Sequence, residues 1–178
     1  GEVQDLHSCF NLNALGKEDP DRQSQQSVIQ QKFEMLLQNI GIESFVAEQL
    51  ASTIKDWIDS DRLMTGSLGA EDETYSSKVV PYLTPNSPMI NISELMAVEG
   101  MTAGIYRSIR PYICLVASDE LRLNVNTIKP EHGVLLHAAF NGRLSIDDAR
   151  SLLESRNDEG FNDISEFLTS PEITRSEE

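Results

Sequence analysis

Two stretches of the chain carry apolar residues at the spacing of paired helices, and this spacing limits the possible folds more than any other feature. In the first stretch the pattern predicts a helix over 28–40 that Gly41 ends, and a second helix capped by Ser44. In the second stretch it predicts helices at about 131–140 and 145–156. Each pair is a helical hairpin with a short turn, so the chain is predicted to be predominantly α-helical.

The two hairpins resemble each other in sequence, which predicts an internal repeat. The tripeptide Asn11-Leu12-Asn13 precedes the first, and Asn124-Val125-Asn126 precedes the second. The apolar positions that match without a gap are Leu36-Leu37 with Leu135-Leu136, Phe45 with Leu144, and Ile54 with Leu153. Chance helical periodicity remains the alternative explanation, because the match is apolar spacing plus one tripeptide.

Short strands are expected outside the hairpins. Leu6, Phe10 and Leu12 alternate with polar residues and would face one side of a strand. The apolar run 113–116 and the alternating run 121–125 are also predicted strands. Further short helices are predicted over 101–112 and near 163–169, followed by a polar, frayed tail over 170–178.

The charge of the chain restricts its partners. With 14 basic and 29 acidic residues the net charge is −15, which repels a phosphate backbone and an anionic membrane surface and favours cations. The Asn-x-Asn-Thr motif, a hairpin and a Gly-Phe pair resemble a helix-hairpin-helix nucleic-acid-binding module, but the basic rim of such modules is absent. We therefore expect no nucleic acid as a partner.

The stretch from Asp56 to Gly100 holds the densest set of carboxylates in a loop context. Two loop-like segments that Gly66 and Gly69 could fold together supply four candidate ligands: Asp59, Asp61, Glu71 and Asp72. Calcium takes 6–8 oxygen ligands, and a divalent cation would offset the mutual repulsion of these groups. Ser87 and Met89, with Asn86, are candidates for further side-chain or main-chain oxygens.

Several alternatives to a calcium site stay open on the residues alone. A solvated acidic loop is the simplest, and the EF-hand spacing is absent. Zinc is disfavoured because the sequence has no cluster of Cys and His. A metal-dependent hydrolase would use the same acidic loop, but His7, His132 and His137 are scattered and no nucleophile pattern surrounds them. Cys9 and Cys114 are either two free thiols or a bridge that closes a loop of about 100 residues.

Seven motifs in order give the chain a family resemblance. They are Phe10-Asn11-Leu12-Asn13, Asp56-Trp57-Ile58-Asp59-Ser60-Asp61, Gly69-Ala70-Glu71-Asp72 with Tyr75, Asn86-Ser87-Pro88-Met89, Ser93-Glu94-Leu95, Val98-Glu99-Gly100 and Asn124-Val125-Asn126-Thr127. This pattern resembles the K-type minor pseudopilin of the bacterial type II (general) secretion pathway, from about residue 4 to residue 168.

The resemblance implies an α+β, predominantly α-helical fold, in which a helical-hairpin insertion with a few short strands sits on a partial pseudopilin scaffold. We expect three parts: 1–15 in the strand scaffold, 16–122 as a first helical-hairpin subdomain with the acidic calcium loop, and 123–178 as a second. We interpret the chain, which begins at Gly1, as a fragment or processed form. We expect the family's N-terminal helix, which would anchor the protein in the inner membrane, to lie outside this chain.

The resemblance also implies a function and its requirements. The implied role is non-enzymatic: the protein would sit at the tip of the periplasmic pseudopilus and nucleate its assembly for protein export. The implied partners are the I- and J-type minor pseudopilins, with secreted proteins as further partners. Calcium is the implied cofactor. An oxidising periplasm favours a disulfide between Cys9 and Cys114 over two free thiols.

Overall fold

A computed structural model of the chain describes residues 5–17, 26–157 and 159–175. Outside it lie residues 1–4 of the predicted scaffold, 18–25 of the first predicted subdomain, and 158 and 176–178 of the second. The α-helices among the described residues are α1 Val28–Asn39, α2 Ser44–Ile58, α3 Asp72–Ser76, α4 Ala103–Ile109, α5 Val134–Ala139, α6 Ile146–Ser155, α7 Ile164–Leu168 and α8 Pro171–Arg175. Four 3₁₀ helices accompany them at Leu12–Gly16, Ile92–Ala97, Arg110–Tyr112 and Pro130–His132. The strands β1 Phe10–Asn11 and β2 Ile113–Cys114 pair in parallel, with Phe10 opposite Ile113. The predicted α+β, predominantly helical fold is confirmed.

The first predicted hairpin is formed by α1 and α2. Ser27 caps α1 through a reciprocal capping box with Gln30. Gly41 follows α1 with a φ of +92°, a conformation that glycine adopts without strain. The N-cap of α2 is Glu43, whose carboxylate accepts the amide N–H of Val46, and not Ser44 as predicted.

The second hairpin, α5 and α6, packs against the first. Ser145 caps α6 as predicted, and its hydroxyl accepts the amide N–H of Asp148. Helix α5 contacts α1, so both hairpins contribute to one apolar core. The predicted equivalent positions Phe45 and Leu144 differ in burial. Leu144 is fully buried, whereas Phe45 is 56% exposed and does not belong to the buried face of α2. The division into three parts stays a prediction.

The Asn-x-Asn tripeptides that precede the hairpins have the same geometry. In the first, the Asn13 side chain donates to the carbonyl of Met89 at 3.0 Å and accepts the Met89 amide N–H at 2.8 Å. In the second, Asn126 donates to the carbonyl of Phe161 at 2.9 Å and accepts its amide N–H at 2.8 Å. We call these two arrangements the asparagine clamps. They show that the internal repeat extends from sequence spacing to hydrogen bonding.

Three predictions of secondary structure were wrong. Leu6 is 55% exposed and Leu12 begins a 3₁₀ helix, because the Asn11 side chain accepts the amide N–H of residue 13 and ends β1 after two residues. The run 121–125 is not a strand, because a strand needs a ladder of bonds to a neighbour. The Asn124 N–H donates to the His7 carbonyl, and the Asn124 carbonyl accepts the N–H groups of Thr127 and Ile128 in a local turn. The tail is not frayed over 171–175, where α8 places Ile173 in the core.

A disulfide joins Cys9 to Cys114, as the family resemblance implied. The two Cα atoms are 5.7 Å apart and the residues are separated by 105 positions. The bridge lies beside the β1–β2 pair and ties the N-terminal segment to the segment after α4. No helix within the described residues has the length and apolar character needed to cross a membrane.

Candidate metal centre

A buried aspartate on α2 fixes the acidic loop against the end of that helix. Asp56 is fully buried, and its Oδ1 accepts the amide N–H of Thr65 at 2.9 Å while its Oδ2 accepts that of Ala70 at 2.7 Å. Gly69 fits beneath this carboxylate, because a Cβ there would lie 2.6 Å from the Thr65 nitrogen and closer still to Asp56 Oδ2. Burial raises the pKa of Asp56 despite these hydrogen bonds. Because the amides of Thr65 and Ala70 are bonded to Asp56, the loop returns to the C-terminal end of α2.

This return brings together three of the four predicted carboxylates. Asp59 is the C-cap of α2, Asp61 lies two residues later, and Glu71 is the N-cap residue of α3. One ligand oxygen from each lies within 4.8 Å of the other two. We call Asp59, Asp61 and Glu71 the acidic triad. Calcium binds oxygen at 2.3–2.6 Å, so ligands on opposite sides of one ion are up to about 5 Å apart, and the triad fits that spacing.

The electrostatics of the acidic triad favour a bound cation. Burial, and then the charges of Asp61, Asp56 and Glu71, raise the pKa of Asp59 to about 7. Burial, with Asp56 as the next contributor, raises the pKa of Glu71 to about 6. Asp59 Oδ1 and Glu71 Oε1 are buried and have no hydrogen-bond partner in the part of the chain that the structure describes. Buried polar atoms of this kind normally have partners, and a divalent cation would supply one to both.

The structure does not bring the fourth carboxylate, Asp72, into the acidic triad. Asp72 Oδ1 accepts the amide N–H of Thr84 at 3.1 Å and its hydroxyl at 2.8 Å. The same hydroxyl lies 3.2 Å from Glu71 Oε2. Asp72 therefore holds the segment around Thr84 beside the triad, and its role as a ligand stays a prediction.

The two other predicted ligands lie on the proline-rich turn. Ser87 is exposed, whereas Met89 is buried and both its amide and its carbonyl are bonded to Asn13. Asn86, which precedes Ser87, has a φ of +45°, and its buried Oδ1 has no hydrogen-bond partner among the described residues. Ligation by Ser87 or Met89 stays a prediction; in the structure, Met89 serves to fix the turn to the N-terminal 3₁₀ helix.

Sequence reasoning missed the residues that position the acidic triad. Asp56 was not predicted as the anchor of the loop, although it lies on the buried side of α2 between Ile54 and Trp57, where a charged residue requires partners. Thr84, which bridges Glu71 and Asp72, had no comparable signal in the sequence. Trp57 packs edge-on to Tyr75 with ring centroids 5.3 Å apart, and both side chains belong to the buried core.

Comparison with known proteins agrees with the family resemblance. A family model for the first domain of protein K of the type II secretion system matches residues 8–118, and a further model for the same protein matches 123–177. The chain is similar to the type II secretion system protein K of Klebsiella pneumoniae, with 37% identity over 98% of this chain and 53% of that protein. It is 41% identical to that of Aeromonas hydrophila, over 90% of this chain and 50% of that protein. The chain thus spans about half the length of these relatives.

A solved structure resembles the whole described fold. The crystal structure of the GspK-GspI-GspJ complex from the type 2 secretion system of enterotoxigenic Escherichia coli matches with a TM-score of 0.85 at 32% identity. The match covers 97% of this chain and 60% of the matching chain.

Proposed function

Because the chain belongs to the type II secretion system protein K family, we propose that it is the helical part of a non-enzymatic minor pseudopilin at the tip of the type II secretion pseudopilus. The observation that carries this proposal is the match to the GspK-GspI-GspJ complex over nearly the whole chain. In this role the protein nucleates pseudopilus assembly for protein export. It acts in the periplasm, and a membrane helix outside this chain anchors it to the inner membrane.

The proposed partners are the I- and J-type minor pseudopilins, which form a complex with GspK in the matching structure. The test uses the complete periplasmic part of the protein, which lacks only the membrane helix. It is mixed with the soluble parts of the I- and J-type proteins from the same bacterium. Size-exclusion chromatography with light scattering should show a complex containing all three chains. Elution as separate components at micromolar concentration would contradict the proposal.

Calcium binding by the acidic triad is the second part of the proposed function. The donors are all oxygens, which suits calcium and disfavours zinc. Two of the three carboxylates are more than nine-tenths buried, and their unpartnered oxygens would become ligands. The ion would connect the C-terminal end of α2 with the N-terminal end of α3, so its effect would be to hold the loop between them in one conformation. Asp72, Ser87 and Met89 are proposed to complete the coordination directly or through water.

A thermal unfolding series with calcium and with chelator tests this site. An ion that binds only the folded form stabilises it by about 2.7 kcal/mol at a hundredfold excess over its dissociation constant. We expect millimolar calcium to raise the melting temperature, and Asp61→Asn to remove most of this increase, because Asp61 is exposed and its loss leaves the core intact. The matched control is Asp147→Asn on exposed α6 surface, which should keep the full response. Equal melting temperatures with calcium and chelator would contradict the site.

The two alternative functions gain no support from the comparisons, whose named relatives are all secretion proteins. For a hydrolase, the structure offers histidines that already have other contacts: the ring of His132 lies 4.9 Å from that of Tyr112, and burial lowers its pKa. His137 Nδ1 lies 2.7 Å from the carbonyl of Leu144. For a nucleic-acid-binding module, the net charge of −15 remains opposed to phosphate.

A further inference from the structure

A cavity of about 430 Å³ opens next to the acidic triad. Asp59 lines this cavity, whereas Asp61 and Glu71 do not. The first 3₁₀ helix, the C-terminal end of α2 and the segment 117–119 border it, and it is open to solvent. Its lining combines the apolar residues Ile58, Pro88 and Ala117 with the acidic residues Asp59 and Asp119. The volume is more than ten times the roughly 30 Å³ share of one water molecule, so the space is much larger than a single ion needs.

The charged groups that line this cavity among the described residues are all acidic. Asp59 is 8% exposed, and its buried Oδ1 has no hydrogen-bond partner within 5–17, 26–157 and 159–175. Asp119 lies at the exposed part of the lining, and no hydrogen bond or ion pair of its side chain occurs among the described residues. Among the described residues, neither a lysine nor an arginine lines the cavity. This described lining therefore combines a buried acid, an exposed acid and apolar side chains, and contributes no cation.

Calcium in the acidic triad would not neutralise this region. One divalent ion beside Asp59, Asp61, Glu71 and Asp72 leaves two formal negative charges, and Asp119 adds another on the cavity side. Lys55, whose charge acts on Asp59, offsets one of these three. The potential in the cavity thus stays negative when the metal site is filled.

We propose that this cavity binds an arginine side chain of a partner polypeptide. An arginine has an apolar stem that suits Ile58, Pro88 and Ala117, and a planar guanidinium with five N–H donors that suits two carboxylates. A bare metal ion would leave the apolar walls unused. This inference rests on the proposed role of the chain in a protein assembly, but not on the acidic triad being a calcium site.

The test is an NMR titration of the ¹⁵N-labelled chain in saturating calcium. The probe is N-acetyl-arginine methylamide, and its control is the citrulline analogue, which has nearly the same shape without the charge. We expect the arginine probe alone to shift the amide signals of residues 58–60 and 117–119. Asp119→Asn should weaken its binding about tenfold, as expected for loss of a hydrogen bond between charged groups. Ala117→Leu, at an exposed position, should weaken it by filling the cavity, whereas Asp147→Asn should leave it unchanged.

Three results would overturn the proposal. They are equal shifts from the citrulline probe, unchanged binding to Asp119→Asn, and binding that appears only in chelator, which would place the guanidinium in the empty triad. The calcium-dependent melting temperature of Asp119→Asn is measured in parallel. A normal calcium response with no arginine binding refutes the cavity alone, and arginine binding with no calcium response refutes the metal site alone.

Discussion

Calcium binding should release protons in an amount that depends on pH, because the ligand carboxylates must be ionised to bind the metal. With pKa values of about 7 and about 6, Asp59 is about three-quarters protonated at pH 6.5 and Glu71 about one-quarter. Calcium should therefore release about one proton per site at pH 6.5, and only about a tenth of a proton at pH 8. The two groups interact, so the sum is the quantity to measure.

The assay is isothermal titration calorimetry in pairs of buffers that differ in ionisation enthalpy. The slope of the observed enthalpy against the buffer enthalpy gives the number of protons released. The variant Asp59→Asn should lower the release at pH 6.5 to about a quarter of a proton if calcium still binds, and Asp147→Asn should leave it at about one. Calcium binding with no proton release at pH 6.5 would refute the assignment of the site to these buried carboxylates.

The same shifts determine how the calcium-free protein responds to pH. Both folded-state pKa values lie above the ordinary values of 3.8 and 4.5, so the folded state binds protons that the unfolded state has released. The contribution of these two groups to the free energy of unfolding is complete below about pH 4, and it is lost as the pH rises toward about 7. Chemical denaturation in chelator should show this decrease between pH 4.5 and 7, and saturating calcium should reduce or abolish it. Because burial lowers the pKa of His132, that group opposes this trend, and the decrease is therefore measured as the difference between the parent and Asp59→Asn. A difference in stability that does not fall over that range in chelator would contradict the assigned burial of Asp59.

Three further predictions concern the structure that supports the site. Asp56→Ala leaves two backbone N–H groups without their carboxylate acceptor, and urea denaturation should show a loss of about 2–4 kcal/mol; a loss below 0.5 kcal/mol would show that Asp56 does not anchor the loop. Gly69→Ala should destabilise the protein and weaken calcium binding, since its Cβ has no space, whereas Gly104→Ala in α4 should be neutral or stabilising because nothing lies closer than 3.8 Å. Replacing Cys9 and Cys114 together by serine should cost about 4–5 kcal/mol in the chain-entropy model; two alkylatable thiols in the freshly purified parent protein would show instead that the bridge does not form.

The helices could be predicted from the sequence because their signals are local. The apolar stripe around Phe33 and Leu36, the stop at Gly41 and the cap at Ser145 all act within a few residues. The strands failed for the opposite reason. Phe10 pairs with a residue about a hundred positions away, and the length of β1 is set by the Asn11 side chain, so neither is visible in alternation alone.

The candidate site was predictable in its residue types but not in its grouping. Carboxylates near two glycines indicate a cation site, and three of four did come together. Asp72 was separated from them by its bonds to Thr84, a contact across 12 residues that no spacing rule reveals. Asp56 could have been recognised, because an acid on the buried face of α2 has to be paired with something.

The asparagine clamps make the protein sensitive to a slow chemical change. Each clamp needs an amide, since the side chains of Asn13 and Asn126 act as donor and acceptor toward one distant residue at once. Spontaneous hydrolysis of either amide to a carboxylate would replace the donor by an anionic oxygen facing the carbonyl of Met89 or Phe161. Deamidation at two positions would thus loosen the proline-rich turn or the segment before α7 without any change in the gene. The burial of Asn13, which is 4% exposed, protects the clamp nearest the acidic triad from the water that this reaction consumes.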